Sequence, residues 1–437
     1  MPRYELDEQF WQVSCEGTLV TTKHGKIGNK GRATTRYHAT PEAARETHDR
    51  LVVEKQRAGF RLIAVPDAVA PVVGEPPVDE QRVALEARIA EEPDDVAAYT
   101  VYGDWLQRHG HPRGELIALQ LAAAAIERAG AIKTRAQAAV GRYLAKHAAT
   151  LLGDLVDVAG DPRDWVIGPV LWRHGFIHHV ELGDHGAHGI DEQLARLLRH
   201  PSARFLRELH LDASAVIPAR RCLEHLGAAA PSTLVELEIR ASAHLGDLAA
   251  LWPAVPNLER LAITARSFEV GPIELPAVRR ARFLATSLGD RTVAAIARAP
   301  WPRLERLELR LCSRIGSTTA DFHDLRPLLT RTDLPALTHL KIRGAPFAGA
   351  ILRELATSPL AGQLQVLELS AGNLSPQDLA NLIAHRSAFT QLRELILPFD
   401  RLTQPQRASL AGIAKHIIGD EQLPLDTLDV DLGDEPS

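Results

Sequence analysis

Apolar residues recur through the second half of the chain in the pattern L-x-x-L-x-L, with any aliphatic or bulky apolar residue at L. Copies begin at Ile177, Leu206, Leu234, Leu258, Val278, Leu304, Leu337, Leu364, Leu392 and Leu425, and successive starts lie 20 to 33 residues apart. Within each copy the fourth and sixth positions share one face of an extended segment and the residue between them faces the other way. Ten strands are therefore expected. The intervening segments carry helical spacing. Ser375-Pro376-Gln377-Asp378 supplies an N-cap serine, a proline at the first helical position and an acid three residues on, ahead of Leu379, Leu382 and Ile383. Asp191, ahead of Leu194, Leu197 and Leu198, predicts a helix start of the same kind.

These residues resemble the leucine-rich-repeat family, in the longer strand-plus-helix form of the ribonuclease-inhibitor-like and cysteine-containing types. Cys312 stands at the Asn/Cys position of Leu304-Glu-Arg-Leu-Glu-Leu-Arg-Leu-Cys312. Most copies lack the asparagine, and the copy at Val278 has alanine at its fourth position. The resemblance implies an α/β solenoid over residues 176–437, whose outward strand positions (third, fifth and seventh of each copy) form a concave binding surface. Those positions are blocked by charge. Glu181, Glu208, Asp212, Glu236 and Glu238 come first. Arg260, Arg280, Arg282, Arg306, Arg310, Lys341 and Arg343 follow, and Glu368, Glu394, Asp429 and Asp431 close the series. Any single exposed charge serves solubility. The block order instead suits a partner with an acidic strip, because guanidinium groups pair with carboxylate or phosphate in bidentate fashion.

Residues 1–64 read as several short strands and then a helix opened by Thr40-Pro41-Glu42, with Ala43, Ala44, Thr47, Leu51 and Val52 on its inner side. Phe10-Trp11, the glycine-punctuated basic stretch His24-Gly25-Lys26-Ile27-Gly28-Asn29-Lys30-Gly31-Arg32, and Lys55-Gln-Arg-Ala-Gly59-Phe60 together resemble the WGR domain. His24 and Lys26 replace the family's tryptophan and arginine around the retained Gly25. The resemblance implies a small α+β module in which His24, Lys26, Lys30, Arg32 and Arg36 are candidates for contacting DNA or RNA. Loss of the tryptophan removes a stacking surface of the kind such contacts use.

Residues 65–80, with prolines at 66, 71, 76 and 77, read as an extended linker. Helices follow from Val83, broken near Glu92-Pro93-Asp94-Asp95. Asp104-Trp105-Leu106 and Gly110-His-Pro-Arg-Gly-Glu115-Leu-Ile-Ala-Leu-Gln120 resemble the short companion domain that accompanies leucine-rich repeats in bacterial proteins. That resemblance implies a helical domain over 81–175, expected to cap the open end of the solenoid, with Leu171-Trp172-Arg173-His174-Gly175-Phe176 as the join. His109, His111 and Glu115 lie close together, but the glycines and proline among them indicate a turn, so no metal site is expected. Asp104, Arg113 and Glu115 read as a salt-bridge cluster between helices.

Composition narrows the function. A net charge of -5 over 437 residues gives no global reason to coat nucleic acid or an anionic membrane. The three cysteines have neither metal-ligand nor disulfide-framework spacing, no apolar stretch is long enough to cross a bilayer, and the first residues have no leader character, which together predict a cytoplasmic protein. No phosphate-binding loop, dinucleotide fingerprint, metalloprotease motif or nucleophile elbow occurs. No catalysis, cofactor or membrane partner is expected. The expected fold class is α/β: a strand–helix leucine-rich-repeat solenoid preceded by a small α+β WGR-like domain and a helical capping domain. The expected function is an adaptor or regulator that binds a protein through its repeats. The alternative is a nucleic-acid-associated protein whose WGR-like domain binds DNA or RNA. The sequence leaves the oligomeric state open.

Overall fold

The computed structural model describes residues 3–6, 9–16, 18–26, 32–38, 40–58, 60–63, 74–128, 134–155, 170–183, 189–213, 216–312, 318–398 and 403–419. The chain divides into two units, Met1–Val73 and Gly74–Ser437.

In the first unit, β1 (Arg3–Leu6), β2 (Gln9–Glu16), β3 (Leu19–Lys26), β4 (Arg32–Tyr37) and β5 (Arg61–Ile63) form an antiparallel sheet in the order β4-β3-β2-β1-β5. One helix, α1 (Pro41–Arg57), packs on it. Trp11, Val13 and Val20 from the sheet meet Ala44 from the helix, with Leu51, Val52 and Phe60 against them. Thr40 opens the helix as its sequence suggests, its Oγ1 accepting from Ala43 N at 3.2 Å.

The second unit opens with helices α2 (Glu80–Glu91), α3 (Val96–Arg108), α4 (Pro112–Arg128), α5 (Thr134–Lys146) and α6 (Ala148–Leu152). Asp79 caps α2 and Asp95 caps α3, each through a carboxylate oxygen accepting from backbone. A hairpin of β6 (Val170–Arg173) and antiparallel β7 (Phe176–Gly183) follows. Its two turn residues, His174 and Gly175, have φ of 49° and 81°, the double positive φ of a type I′ turn.

From β7 onward the large sheet is parallel. Its strands are β8 (Glu208–Ala213), β9 (Glu236–Ala241), β11 (Arg260–Ala265), β13 (Arg280–Ala285), β14 (Arg306–Arg310), β15 (His339–Arg343), β16 (Val366–Glu368), β17 (Glu394–Leu397) and β18 (His416–Gly419), each beside the next. Two short strands, β10 (His244–Asp247) and β12 (Ser267–Glu269), pair separately. In every copy from Leu206 to Leu392 the strand begins at the third position. The apolar residues of the first, fourth and sixth positions are buried, as in Leu304, Leu307 and Leu309 or Leu337, Leu340 and Ile342. Each such side chain contributes about 1.5–3 kcal/mol of transfer free energy on burial.

Where the copies are longest, helices return the chain, and the Ser375 capping box forms as expected, with Ser375 Oγ accepting from Asp378 N and Asp378 Oδ2 accepting from Ser375 N. Asp191 behaves differently. The helix begins at Ile190 with Gly189 at the cap, so Asp191 sits in the first turn, favourable to the helix dipole, and accepts from Arg221 at 3.3 Å. Between β11 and β13, where successive copies start only 20 residues apart, the chain crosses without an α-helix. The tenth expected strand, at Leu425, lies outside the described residues. β18 was not expected, because its copy has Ala414 at the first position and Gly419 at the sixth, although Ile417 stands at the fourth, in register with Leu395.

The expected linker is in part structural. Glu75 accepts from Arg113 Nη2 at 3.0 Å and from Arg82 Nη2 at 2.6 Å, and the Pro76 carbonyl accepts from Arg82 Nη1. Arg113, fully buried, also donates to Gly175 O and Ser202 Oγ. The expected cluster of Asp104, Arg113 and Glu115 does not form, since Asp104 and Glu115 lie on exposed helix faces. Gly114 is helical, not part of a turn: a Cβ there would sit 2.5 Å from Gly103 O, so the glycine lets α3 and α4 touch. The helices cover the first parallel strand through Tyr99, Tyr102, Trp105 and Ile117 packed on Phe176 and Phe205. No helix among the described residues is long and apolar enough to cross a membrane.

Candidate partner-binding face

Parallel pairing in register stacks equivalent positions of successive strands into rows across the sheet. One row reads His179, Glu208, Glu236, Arg260, Arg280, Arg306, His339. The next reads Glu181, His210, Glu238, Ala262, Arg282, Glu308, Lys341, Glu368. The seven cations expected to form a basic stripe thus fall in different surroundings.

Five of them are engaged inside the sheet. Arg260 donates through Nη2 to Glu208 at 3.1 Å and through Nε to Glu236. Arg282 Nε lies 3.5 Å from Glu308. Lys341 Nζ lies 3.3 Å from Glu368. Arg310 and Arg343, expected on the outer surface, are buried: Arg310 Nε donates to the Ala285 carbonyl at 3.1 Å, and Arg343 donates to Glu368. Glu368, expected to belong to an acidic end, is itself fully buried. Arg343 reaches the fifth-position carboxylates Glu308 and Glu368 of the two flanking strands, so it is buried by its neighbours on the same face, which a charge pattern along the sequence does not reveal.

Arg280 and Arg306 remain. They are exposed, adjacent in register on β13 and β14, and have no ion-pair partner among the described residues. Together with Arg260, Arg282, Lys341 and His339 they line a depression of about 300 Å³. Ala262, with only a methyl group at its row position, also lines it and leaves it room. The field there is positive. His339 is held below its ordinary value by burial first and then by Arg306, Lys341 and Arg280, with Glu305 opposing. Glu236 and Glu308 also line the depression, where five arginine and lysine side chains outnumber two carboxylates.

In the first unit, His24 is exposed on β3, opposite Trp11 of β2 and Arg32 of β4. Arg36 is exposed on the edge strand β4, opposite Val20. Lys26 ends β3 opposite Gln9, and its side chain, that of Arg32 and the whole of Lys30 lie outside the described parts. Lys55, which belongs to the stretch that carries the WGR resemblance but was not among the candidate contact residues, lies beside them. Its ammonium sits 5.9 Å from the Trp11 ring centroid and 5.2 Å from that of Phe60, and the three line a depression of about 280 Å³ with His24. Lys55 lies 31 residues from His24 in sequence, and only the packing of α1 on the sheet brings them together.

Residues 6–64 match the WGR domain family. No curated protein matches the chain. Among solved structures, the chain is similar to the crystal structure of a protein from Bacteroides fragilis, with 14% identity over 97% of this chain and 96% of that one, at a TM-score of 0.45. The N-terminal unit therefore contains a WGR domain, spanning residues 6–64.

Proposed function

We propose that this chain is a non-catalytic, cytoplasmic interaction protein whose second unit is a leucine-rich-repeat solenoid that receives an acidic segment of a protein partner. The observation that carries the reading is the pair Arg280 and Arg306: exposed, adjacent in register and without a carboxylate partner among the described residues. Two like charges on neighbouring strands repel, and a partner's carboxylates would relieve that repulsion. Each charge-assisted hydrogen bond so formed contributes about 1.5–3 kcal/mol. The positive field would also speed encounter and set register on the partner. A sensor or inhibitor role in a bacterial regulatory or defence system fits such a surface by fold-level analogy. Titration of a fluorescein-labelled oligoglutamate peptide into the full chain tests the chemistry: the Arg280→Glu/Arg306→Glu variant should bind at least about tenfold more weakly, and equal affinity contradicts the reading.

The second reading rests on the WGR domain. Exposed His24 and Arg36, with the Lys55 ammonium 5.2 Å from the centroid of the partly exposed Phe60 ring, give it cationic and aromatic groups of the kind that contact nucleic acid. In that reading the repeats recruit a protein to DNA or RNA.

A further inference from the structure

At the other end of the face, away from Arg280 and Arg306, lies a constellation that the interaction reading does not use. We propose that His179, Glu181 and His210 form a binding site for a borderline divalent cation such as Zn²⁺ or Co²⁺, oriented by Glu208 and Glu236.

The three donors come from two adjacent strands. Glu181 and His210 are register partners on β7 and β8, and His179 stands two residues before Glu181 on the same face. Glu181 Oε1 lies 3.3 Å from His179 Nε2 and 3.8 Å from His210 Nδ1, and ligand atoms of the three residues all fall within 4.8 Å of one another. Metal–ligand bonds of about 2.0–2.1 Å in a tetrahedron put donors about 3.3 Å apart, so closing on an ion needs small side-chain adjustments and no backbone shift. Two imidazoles and one carboxylate suit zinc, cobalt or nickel, whereas magnesium and calcium prefer oxygen alone.

The surroundings distinguish this from an incidental charge cluster. Each imidazole turns one nitrogen toward the shared Glu181 oxygen and the other toward a separate carboxylate: His179 Nδ1 lies 3.1 Å from Glu208 Oε2, and His210 Nε2 lies 3.2 Å from Glu236 Oε1. A carboxylate behind a ligating histidine fixes its tautomer and ring orientation and raises its basicity as a ligand. These carboxylates are themselves fixed, because the second oxygen of each accepts from the single guanidinium of Arg260. The rings stand edge to face, 4.7 Å between centroids. His179 is buried, whereas the Glu181 side chain is 59% exposed, so the ion would be held from one side. Its remaining position would take water or a donor from a bound partner.

The test is calorimetric titration of the full chain, first stripped with chelator, with ZnCl₂, and absorption spectroscopy with CoCl₂. One ion should bind per chain at micromolar concentration, and cobalt should show the visible bands of a low-symmetry nitrogen–oxygen site. His210→Ala, at a partly exposed position, should abolish both signals, and Glu236→Gln should weaken binding on the order of 10–100-fold. Arg280→Glu should leave it unchanged, which separates this site from the acidic-partner proposal. If no ion binds at micromolar concentration, or if His210→Ala and Glu181→Gln bind zinc as tightly as the parent, the proposal is overturned.

Discussion

Arg343 is bound to Glu368 from within the sheet, Nε to Oε1 at 2.6 Å, with the carboxylate fully buried and the guanidinium nearly so. Ser370 Oγ adds a hydrogen bond of 2.7 Å to the same oxygen, and Lys341 approaches the other. Burial pushes Glu368 up, but the hydrogen bonds from Arg343 and Ser370 outweigh it and hold the carboxyl below its ordinary value of 4.5. This residue pair, which the charge pattern assigned to opposite blocks of a binding surface, is an internal brace between β15 and β16.

Removing Glu368 leaves the buried Arg343 guanidinium with Glu308 as its remaining carboxylate, 3.3 Å away. Glu368→Ala should destabilise the second unit by about 3–5 kcal/mol in denaturant unfolding. Because the folded carboxyl titrates low, its contribution is full above pH 4.5 and lost as pH falls below it. An unchanged unfolding midpoint would show that the pair is solvated.

Glu75 has the same role at the start of the second unit. It is the carboxylate that faces the fully buried Arg113, and it also serves Arg82. Glu75→Ala should likewise cost about 3–5 kcal/mol. It should also expose the proline-rich stretch before Glu80 to limited proteolysis, detected by mass spectrometry of the fragments.

Acid should weaken the helices and the β6–β7 hairpin at the start of the second unit well above the carboxylate range. His111, facing Arg113, Arg82 and Glu75, is driven down to about 4, chiefly by burial and then by Arg113. His174 is driven down to about 4 by burial, then by Arg173 and His178, with Asp94 opposing. Both stay neutral when folded but take a proton in the unfolded chain below their ordinary value of 6.5. Their contribution is thus complete above 6.5 and lost as pH falls toward 4. The melting temperature should decline between pH 6.5 and 4.5. His111→Asn/His174→Asn should make that decline shallower, asparagine being tolerant of the positive φ at 174. An identical slope in parent and variant would refute the assignment.

Nucleic-acid binding by the WGR domain has a distinct signature. Fluorescence anisotropy of a short blunt DNA duplex with the full chain should show affinity that falls steeply with salt. Arg36→Ala/Lys55→Ala should weaken it several-fold without changing the response to Arg280→Glu/Arg306→Glu. Absence of binding at low salt would leave the domain a protein-docking module.

Much of the architecture was legible because it depends on local periodicity. Leu307 and Leu309, or Leu340 and Ile342, declare a strand face by alternation alone, and Ser375 with Asp378 declares a helix start. The site was less legible because it depends on register and on which neighbouring strands cover each side chain. Glu308 sits inside the basic block and compensates Arg282 and Arg343, yet only pairing shows which cations it reaches. His179 and His210 meet across 31 residues of sequence, a distance at which no motif spacing speaks. Arg113 and Glu75 meet across 38, with the acid in a segment whose prolines suggested an extended linker.

On the proposed reading an acidic partner segment docks on Arg280 and Arg306. Affinity capture from the native lysate with the full chain and with Arg280→Glu/Arg306→Glu, each partner then purified and its affinity measured at two salt concentrations, tests it most directly. The expected result is a partner with an acidic segment that binds the parent, weakens with salt, and is lost from the double variant while the variant's unfolding midpoint is unchanged. A partner held equally by both proteins would contradict it.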